Sequence, residues 1–344
     1  MTPLGPAFKR LWPHARRWLP WLLAAAVLYL VAQQAREVEW AKVGAALQAL
    51  PLRHSLVSVV LALGAHSLFA AYDLIGRWLS KARISRGRTL ATAAIAYAFN
   101  LNFGALIGGV GMRLRLYTRA GLSPGTVGQI VTHSFIANWL GWCWVLGTVL
   151  VLSPPRLQGE WALGVAALRG MGAVRLVVAV GYHALCAFSG KSELRWREHS
   201  LPLAGSRVAL IQAVMGATVW MLMALSLWNL LQGRVPYATV LGALLLAGVA
   251  GALTHVPSGL GVLEAVVAAA LAGMVPLDEV LAAVLAYRAA HYLLPLALAL
   301  PAYGFSEIRA REGIRSPPAP PRGSASRPPP ADRTADPVAR SRGA

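Results

Sequence analysis

One stretch indicates what kind of fold this chain has: Phe99-Asn-Leu-Asn-Phe-Gly-Ala-Leu-Ile-Gly-Gly-Val-Gly-Met-Arg-Leu-Arg-Leu-Tyr117. It begins as an apolar run typical of a membrane helix, but it contains polar residues and closely spaced glycines: Asn100, Asn102, Gly104, Gly108, Gly109, Gly111, Arg113 and Arg115. Glycines at this density make a continuous helix costly, and irregular backbone that faces lipid is not tolerated at membrane depth. We therefore predict that 89–111 is a broken or re-entrant segment that is buried in protein or lines a polar cavity.

A second stretch, His255-Val-Pro-Ser-Gly-Leu-Gly-Val-Leu-Glu264, repeats this pattern within the apolar region 238–273. A polar residue is followed by a break, then by Gly-x-Gly, then by a charge. Two interrupted hydrophobic segments in corresponding halves of a membrane protein indicate a transporter-type binding site.

The composition is that of a membrane protein. Of 344 residues, 57% are hydrophobic and only 13% are charged, which is too apolar for a soluble domain of this size. The net charge of +19 is carried by loops and a tail, so we interpret it as membrane orientation and not as nucleic-acid binding. Cys143 and Cys186 lie inside apolar runs and predict neither a disulfide framework nor a metal site.

The apolar runs predict an all-α, polytopic helical membrane protein with about eight hydrophobic passes. We expect an integral membrane domain over 1–305 and a disordered, Pro- and Arg-rich cytoplasmic tail over 306–344. The predicted passes are 18–35, 56–79, 126–152, 170–189, 208–231, a re-entrant pair within 238–273, and 279–304.

Basic residues predict which loops face the cytoplasm. The segments that hold most of the Lys and Arg are 1–17, 76–88, 112–120, 190–207 and the tail. We therefore expect both termini in the cytoplasm. The loops around 89–111 are strongly basic and those around 238–273 are nearly free of basic residues, so the two interrupted regions should enter from opposite sides. This arrangement predicts an inverted repeat.

Several motifs closely resemble the bacterial YbhN-like inner-membrane proteins of the wider lysylphosphatidylglycerol synthase transmembrane-region family. The motifs are Ala71-Tyr-Asp73, Tyr97-Ala-Phe-Asn100, Gly108 to Tyr117, Asn138-Trp-Leu-Gly141, His255 to Ala265 and Ala286-Tyr-Arg288. The resemblance covers about residues 8–305 and implies a flippase-like, lipid-handling protein whose broken segments line a headgroup cavity. We expect no aminoacyl-transferase domain after the last span, so the resemblance does not imply lipid synthesis.

The predicted substrate-binding residues lie on both interrupted segments and on the last span. They are Asn100, Asn102, Gly109, Gly111, Arg113, Arg115, Tyr117, His255, Ser258, Gly259, Gly261, Glu264 and Arg288. Arg113 and Arg115 follow glycines that expose backbone N–H groups, a combination suited to phosphate. Which of these two arginines points inward stays open, because positions i and i+2 diverge on a helix.

Charged residues inside apolar segments need partners. We predict an ion pair between Glu264 and Arg288, which either braces helices or serves as a gate or substrate contact. We predict that Asp73 pairs with Arg77, one turn further along the same helix. Ser258 is the expected N-cap of the half-helix that carries Glu264.

Two further polar positions have interpretations from sequence. His255 precedes Pro257, which frees a carbonyl on the preceding turn. Asn138 is expected to make an interhelical hydrogen bond.

No catalytic, metal or cofactor motif stands out. The resemblance therefore implies phospholipid translocation between leaflets, with an anionic headgroup in the cavity and the bilayer as surroundings, and we predict no enzyme activity. Two alternatives remain: a membrane-embedded lipid-modifying enzyme that uses Glu264 and His255 as acid–base groups, and a scaffold for a lipid-synthesis enzyme.

Overall fold

The computed structural model describes residues 40–154, 164–189, 193–196, 199–254 and 256–315. The predicted first span at 18–35, His255 and the tail from 316 onward lie outside the described residues. The described residues up to Tyr303 form one compact unit, and a second unit starts at Gly304.

The described residues are mostly helical. The helices are α1 (Trp40–Gln48), α2 (Leu52–Leu79), α3 (Arg86–Phe103), α4 (Met112–Arg119), α5 (Pro124–Leu152), α6 (Val165–Phe188), α7 (Ser206–Leu230), α8 (Tyr237–Thr254), α9 (Val262–Leu271), α10 (Leu277–Arg288) and α11 (Leu294–Arg315). Two π-helical turns, Ala105–Gly111 and Ala289–Leu293, and one 3₁₀ turn, Pro257–Gly259, join some of them. Strands β1 (Glu193–Trp196) and β2 (His199–Pro202) pair antiparallel within the segment expected to be a polar loop.

Six helices among the described residues are long and apolar enough to cross a membrane. They are 52–79, 124–152, 165–188, 206–230, 237–254 and 277–306. The prediction of about eight passes is slightly high for two reasons. The pass at 18–35 falls outside the described residues, and α9, expected as the second arm of the re-entrant pair, has only 10 residues, about half the length that a transmembrane helix needs.

The order of elements repeats. In each half, a long helix is followed by an 18-residue helix, a break, a short helix and another long helix. α3 begins at Arg86 and α8 begins at Tyr237, which is 151 positions later. The same offset relates Lys81 to Gln232, two non-glycine residues with positive φ (52° and 55°) just after a long helix.

Contacts between α2 and α7 show that the two halves are inverted. The Ser58 and Ser226 hydroxyls are 2.5 Å apart, and the Tyr72 hydroxyl donates to the Met215 carbonyl at 3.5 Å. Residue numbers therefore rise along α2 as they fall along α7, so these equivalent helices run antiparallel. This is the relation that an inverted repeat requires.

Small residues let two of the long helices cross closely. A Cβ on Gly216 of α7 would lie only 2.0 Å from the Ala137 carbonyl oxygen of α5, so the two backbones are in direct contact. On α6, Arg175 lies inside a span. Its guanidinium carbon is 4.6 Å from the centre of the Trp142 ring, and this cation–π contact offsets part of the cost of burying the charge.

Candidate functional site

The first broken segment turns at Gly104, where φ is +84°. Glycine is suited to this conformation because it has no Cβ. The π-helical turn that follows packs directly against α3, since a Cβ on Gly108 would lie 2.2 Å from the Phe99 carbonyl oxygen. Asn102 holds the end of α3 to the last span by donating to the Tyr292 carbonyl at 3.0 Å. The predicted break in 89–111 is therefore confirmed.

Arg113 is the inward-facing arginine, and its partner is Asp73. Its Nε donates to the Asp73 carboxylate at 2.9 and 3.2 Å, and its Nη2 donates at 3.1 Å. Asp73 has no exposed surface and also accepts from the Tyr117 hydroxyl at 2.8 Å and the Ser134 hydroxyl at 2.5 Å. Burial, and next the Asp73 carboxylate, raises the pKa of Tyr117, so its hydroxyl remains a neutral donor.

The predicted Asp73–Arg77 pair is wrong. Arg77 instead donates from Nε to the Ile84 carbonyl at 2.5 Å, in the loop after its helix. A wholly buried carboxylate needs several donors within the protein, and Asp73 finds them on α4 and α5, whereas Arg77 lies at a helix end. Arg115 is on the exposed side of α4, with its guanidinium carbon 5.7 Å from the centre of the Tyr303 ring.

The second broken segment turns through three left-handed residues, Ser258 (φ 61°), Gly259 (φ 56°) and Gly261 (φ 76°). Ser258 is not the N-cap of α9. Gly261 occupies that position without a side-chain hydrogen bond, because the Ser258 hydroxyl faces Arg288, whose Nη1 lies 3.3 Å away. The break itself was predicted correctly, whereas the residue that begins the helix was not.

Arg288 ties this break together, and its predicted pair with Glu264 is confirmed. Nε donates to one Glu264 oxygen, and Nη2 donates to the other at 3.0 Å. The same guanidinium donates to the carbonyls of Ser258 at 3.1 Å and Gly259 at 2.9 Å. Arg288 thereby satisfies backbone acceptors that the broken helix leaves without helical partners.

Both broken segments line one cavity of about 300 Å³. Five of the predicted site residues line it: Asn100, Gly109, Arg113, Ser258 and Gly259. The structure places the others away from its wall: Asn102, Gly111, Arg115, Tyr117, Gly261, Glu264 and Arg288. Tyr117, Glu264 and Arg288 act behind the wall, through Asp73 or through the backbone of the second break.

The cavity wall also contains residues that sequence reasoning did not assign to the site. They are Phe69, Tyr97, Ser134, Asn138, Trp139, Trp220 and Tyr292, among others. Asn138 was expected to bond another helix, but it makes no hydrogen bond to any residue that the structure describes. A polar amide within the apolar run of α5 was the signal in the sequence for this position.

Within the described ranges, no three His, Cys, Asp or Glu side chains come together in a way that would hold a metal ion. The absence of a metal or cofactor from the protein stays a prediction.

No protein-family model matches the chain. The chain is 34% identical over 302 residues to "Inner membrane protein YbhN" of Escherichia coli (strain K12), covering 88% of this chain and 95% of that protein. It is 28% identical over 275 residues to "Uncharacterized protein slr0712" of Synechocystis sp. (strain ATCC 27184 / PCC 6803 / Kazusa), covering 78% and 84%. Similarity of this extent, together with the apolar helices described above, shows that the chain is a multi-pass inner-membrane protein that belongs to the YbhN family.

Proposed function

We propose that this protein moves phospholipid between the leaflets of the inner membrane and that the lipid headgroup passes through the cavity between the two broken segments. The observation that carries the proposal is that both glycine-rich breaks, which are far apart in sequence, line the same cavity. Broken helices at membrane depth are tolerated where they line a polar cavity, and transporters place their substrate sites there.

The polar part of the wall suits a phosphate group. Arg113 has five N–H donors. Its Nε and one N–H of Nη2 donate to Asp73, and one N–H of Nη1 donates to the Gly109 carbonyl. Two N–H groups of this cavity-lining guanidinium are therefore not engaged by the described residues. The amides of Asn100 and Asn138 also line the cavity without a hydrogen bond to a described residue. Together these groups offer donors for phosphate oxygens and for glycerol hydroxyls.

The apolar part of the wall suits the region where headgroup and acyl chains join. Phe69, Trp139 and Trp220 line the same cavity, and Trp139 is 39% exposed. The two Trp rings each have one polar edge, and such rings are favoured where an apolar chain meets a polar group.

The resemblance to the transmembrane region of lysylphosphatidylglycerol synthases supports a lipid substrate, and the proposal assigns this chain the translocation part of that activity. We propose transport in preference to chemistry because the Glu264 carboxylate, the group a membrane-embedded enzyme would use, is held by Arg288. A lipid-synthesis enzyme as a partner is part of the same proposal.

The test uses full-length protein reconstituted into vesicles of phosphatidylethanolamine and phosphatidylglycerol that carry a trace of NBD-labelled phosphatidylglycerol. Dithionite added outside bleaches outer-leaflet label and then reports lipid that reaches that leaflet. We expect bleaching to pass the half-way plateau only in vesicles that contain protein. Mass spectrometry of the recovered lipid should show no product, and a modified lipid would instead favour the enzyme alternative.

A matched pair of variants ties the activity to the cavity. Asn138→Leu removes a cavity amide at nearly constant volume, and we expect transport to slow by roughly 10- to 150-fold, since a hydrogen bond to a charged group is worth about 1.5–3 kcal/mol. Thr218→Val is the control, because the Thr218 hydroxyl bonds its own helix at the Val214 carbonyl (2.8 Å) and does not line the cavity. Equal rates in both variants would refute the assignment of the cavity.

A further inference from the structure

Two histidines lie at the middles of two membrane spans. His66 is near the centre of α2, 52–79, and His291 is near the centre of the last span, 277–306. The repeat does not account for them, because the positions 151 residues away are the apolar Ala217 and Leu140. Ionisable side chains in the middle of a membrane protein are costly and mark ion or proton pathways.

These histidines have unpaired nitrogens. His66 Nε2 lies 3.0 Å from the Ala94 carbonyl and must donate to it, so its neutral tautomer leaves Nδ1 as a lone-pair acceptor. That Nδ1, and both ring nitrogens of His291, are buried without a hydrogen-bond partner among the described residues. His291 is only 3% exposed, and the π-helical turn that carries it packs against α2, the helix that carries His66.

The backbone at His291 also departs from the repeat. Ala289–Leu293 forms a π-helical turn, in which the Leu294 N–H donates to the Ala289 carbonyl. The counterpart region, 138–142, is regular α-helix within α5. Single π-helical turns inside helices occur frequently at functional sites.

Aromatic rings lie between the histidines and the cavity. The Tyr97 ring, which lines the cavity, is 4.9 Å from the His66 ring. On the other side, Tyr287 stacks on His291 at 4.5 Å and lies 6.2 Å from Tyr292, which also lines the cavity.

The titratable groups nearest the π-helical turn come from the elements that pack most closely against it. α2 contributes His66, α3 contributes Tyr97, and α10 contributes Tyr287 and Arg288. Arg288 is compensated by Glu264. No described carboxylate therefore faces the histidines unpaired.

The charges around the cavity cancel in pairs. Arg113 is matched by Asp73 and Arg288 by Glu264. A phosphate that enters therefore brings a negative charge that neither of these pairs balances, and an unbalanced charge in a low-dielectric site is expensive. A proton on either histidine would balance it.

We propose that the His66–His291 pair is a proton-binding site and that an anionic phospholipid crosses together with one proton, so that the cycle is electroneutral. This inference rests on the proposed function and adds its coupling ion. A proton from the water on one side binds Nδ1 of His66 or a ring nitrogen of His291 as the phosphate anion enters the cavity. Both leave on the other side, and the ring returns to its neutral form.

The experiment uses the same vesicles with a difference of one pH unit across the membrane. At one proton per lipid, this tenfold proton gradient drives NBD-labelled phosphatidylglycerol into the leaflet on the alkaline side, to a ratio of up to about tenfold. Random orientation of the protein does not matter, because a symporter follows the gradient in either orientation. Protein-free vesicles measure the background.

Three conditions identify the coupling. Nigericin, which collapses the pH difference, should return the ratio to one. A potassium diffusion potential without a pH difference should leave it at one, because the cycle is electroneutral. Phosphatidylethanolamine that carries NBD on an acyl chain keeps its ammonium, which already balances its phosphate, so this lipid should not accumulate. Accumulation of both lipids alike, or a response to the potential alone, would overturn the proposal.

His291→Gln should abolish accumulation of the anionic lipid, and His66→Gln, which keeps a donor for Ala94, should reduce it. His183→Gln is the control, since His183 lies in α6 and accepts from the Trp144 indole at 3.2 Å. If His291→Gln does not fold, the effect of nigericin on the natural protein still shows whether lipid accumulation depends on the pH difference. Equilibration of lipid without accumulation would reject proton coupling alone, whereas no equilibration at all would reject the proposed function as well.

Discussion

Asp73 and Glu264 show how two buried carboxylates can have different roles in one membrane protein. Asp73 collects four donors and has no exposed surface, so it fixes Arg113 at the cavity wall. Glu264 is partly exposed, and its partner Arg288 divides its donors between the carboxylate and two backbone carbonyls. The Asp73 carboxylate positions the Arg113 side chain, whereas the Glu264 carboxylate holds Arg288, whose guanidinium supports the backbone of the second break.

We predict that Asp73→Asn lowers the free energy of unfolding by about 3–5 kcal/mol, because it leaves the Arg113 charge uncompensated in a buried site. Unfolding of the purified protein in mixed detergent micelles measures the change. Asp278→Asn, in the first turn of α10, is the control and should cost at most about 1 kcal/mol. Equal losses in the two variants would mean that Arg113 finds another partner.

At the second pair, Arg288→Leu should destabilise the protein more than Glu264→Gln, by about 3–5 kcal/mol against about 1–3 kcal/mol. The arginine also serves the Ser258 and Gly259 carbonyls, which the leucine leaves without a donor. The double variant should therefore stay within about 1 kcal/mol of Arg288→Leu, a non-additive result that marks residues in contact. Recovery of natural stability in the double variant would show that the carbonyl contacts contribute little.

At the scale of elements, the two breaks differ although they stand at equivalent places in the repeat. The first turns at Gly104 and continues as a π-helical turn pressed against the backbone of α3. The second passes through three left-handed residues before α9 begins. Close backbone packing supports the first break, and the Arg288 side chain supports the second.

This difference predicts that Gly108→Ala is strongly destabilising. Its Cβ would lie 2.2 Å from the Phe99 carbonyl oxygen, and backbone cannot yield as a side-chain end can, so we expect a loss of about 1–3 kcal/mol or more. Gly128→Ala is the matched control within α5, because no atom lies within 4 Å of the added Cβ. It should stabilise the protein by about 0.5–1 kcal/mol, and a similar loss in both variants would contradict the packing argument.

At the scale of the whole molecule, the inverted repeat places unlike charges at equivalent positions. Arg113 and Glu264 are 151 positions apart, as α3 and α8 are. Arg113 pairs with Asp73 on the long helix that precedes it in the chain, whereas Glu264 pairs with Arg288 on the span that follows it. The two halves therefore surround one cavity without surplus charge from these pairs.

The repeat also predicts which side each loop faces. In a background in which Cys143 and Cys186 are replaced by alanine, Thr118→Cys should resist an impermeant thiol reagent added to spheroplasts, and Leu277→Cys should react. Leu277 is 53% exposed, so a lack of labelling there cannot be attributed to burial. Thr118→Cys should react once the membrane is permeabilised. Labelling of both positions from outside would reject the proposed orientation of the halves.

Local pattern was enough to predict the helical membrane fold, both breaks, the inverted relation of the halves and the Glu264–Arg288 pair. Each of these depends on physics that acts along the chain: apolar length sets spans, glycine density weakens a helix, and an isolated charge in an apolar segment requires a partner.

Other contacts between distant segments could not be predicted from the sequence pattern. Asp73 selects Arg113 over the nearer Arg77 because burial, and not spacing in sequence, sets what a carboxylate requires. Asn138 lines the cavity, and Ser258 gives up the cap of α9 to face Arg288, because the packing of other helices places a wall or a guanidinium there. The His66–His291 pair likewise arises from two spans that meet only in the folded protein.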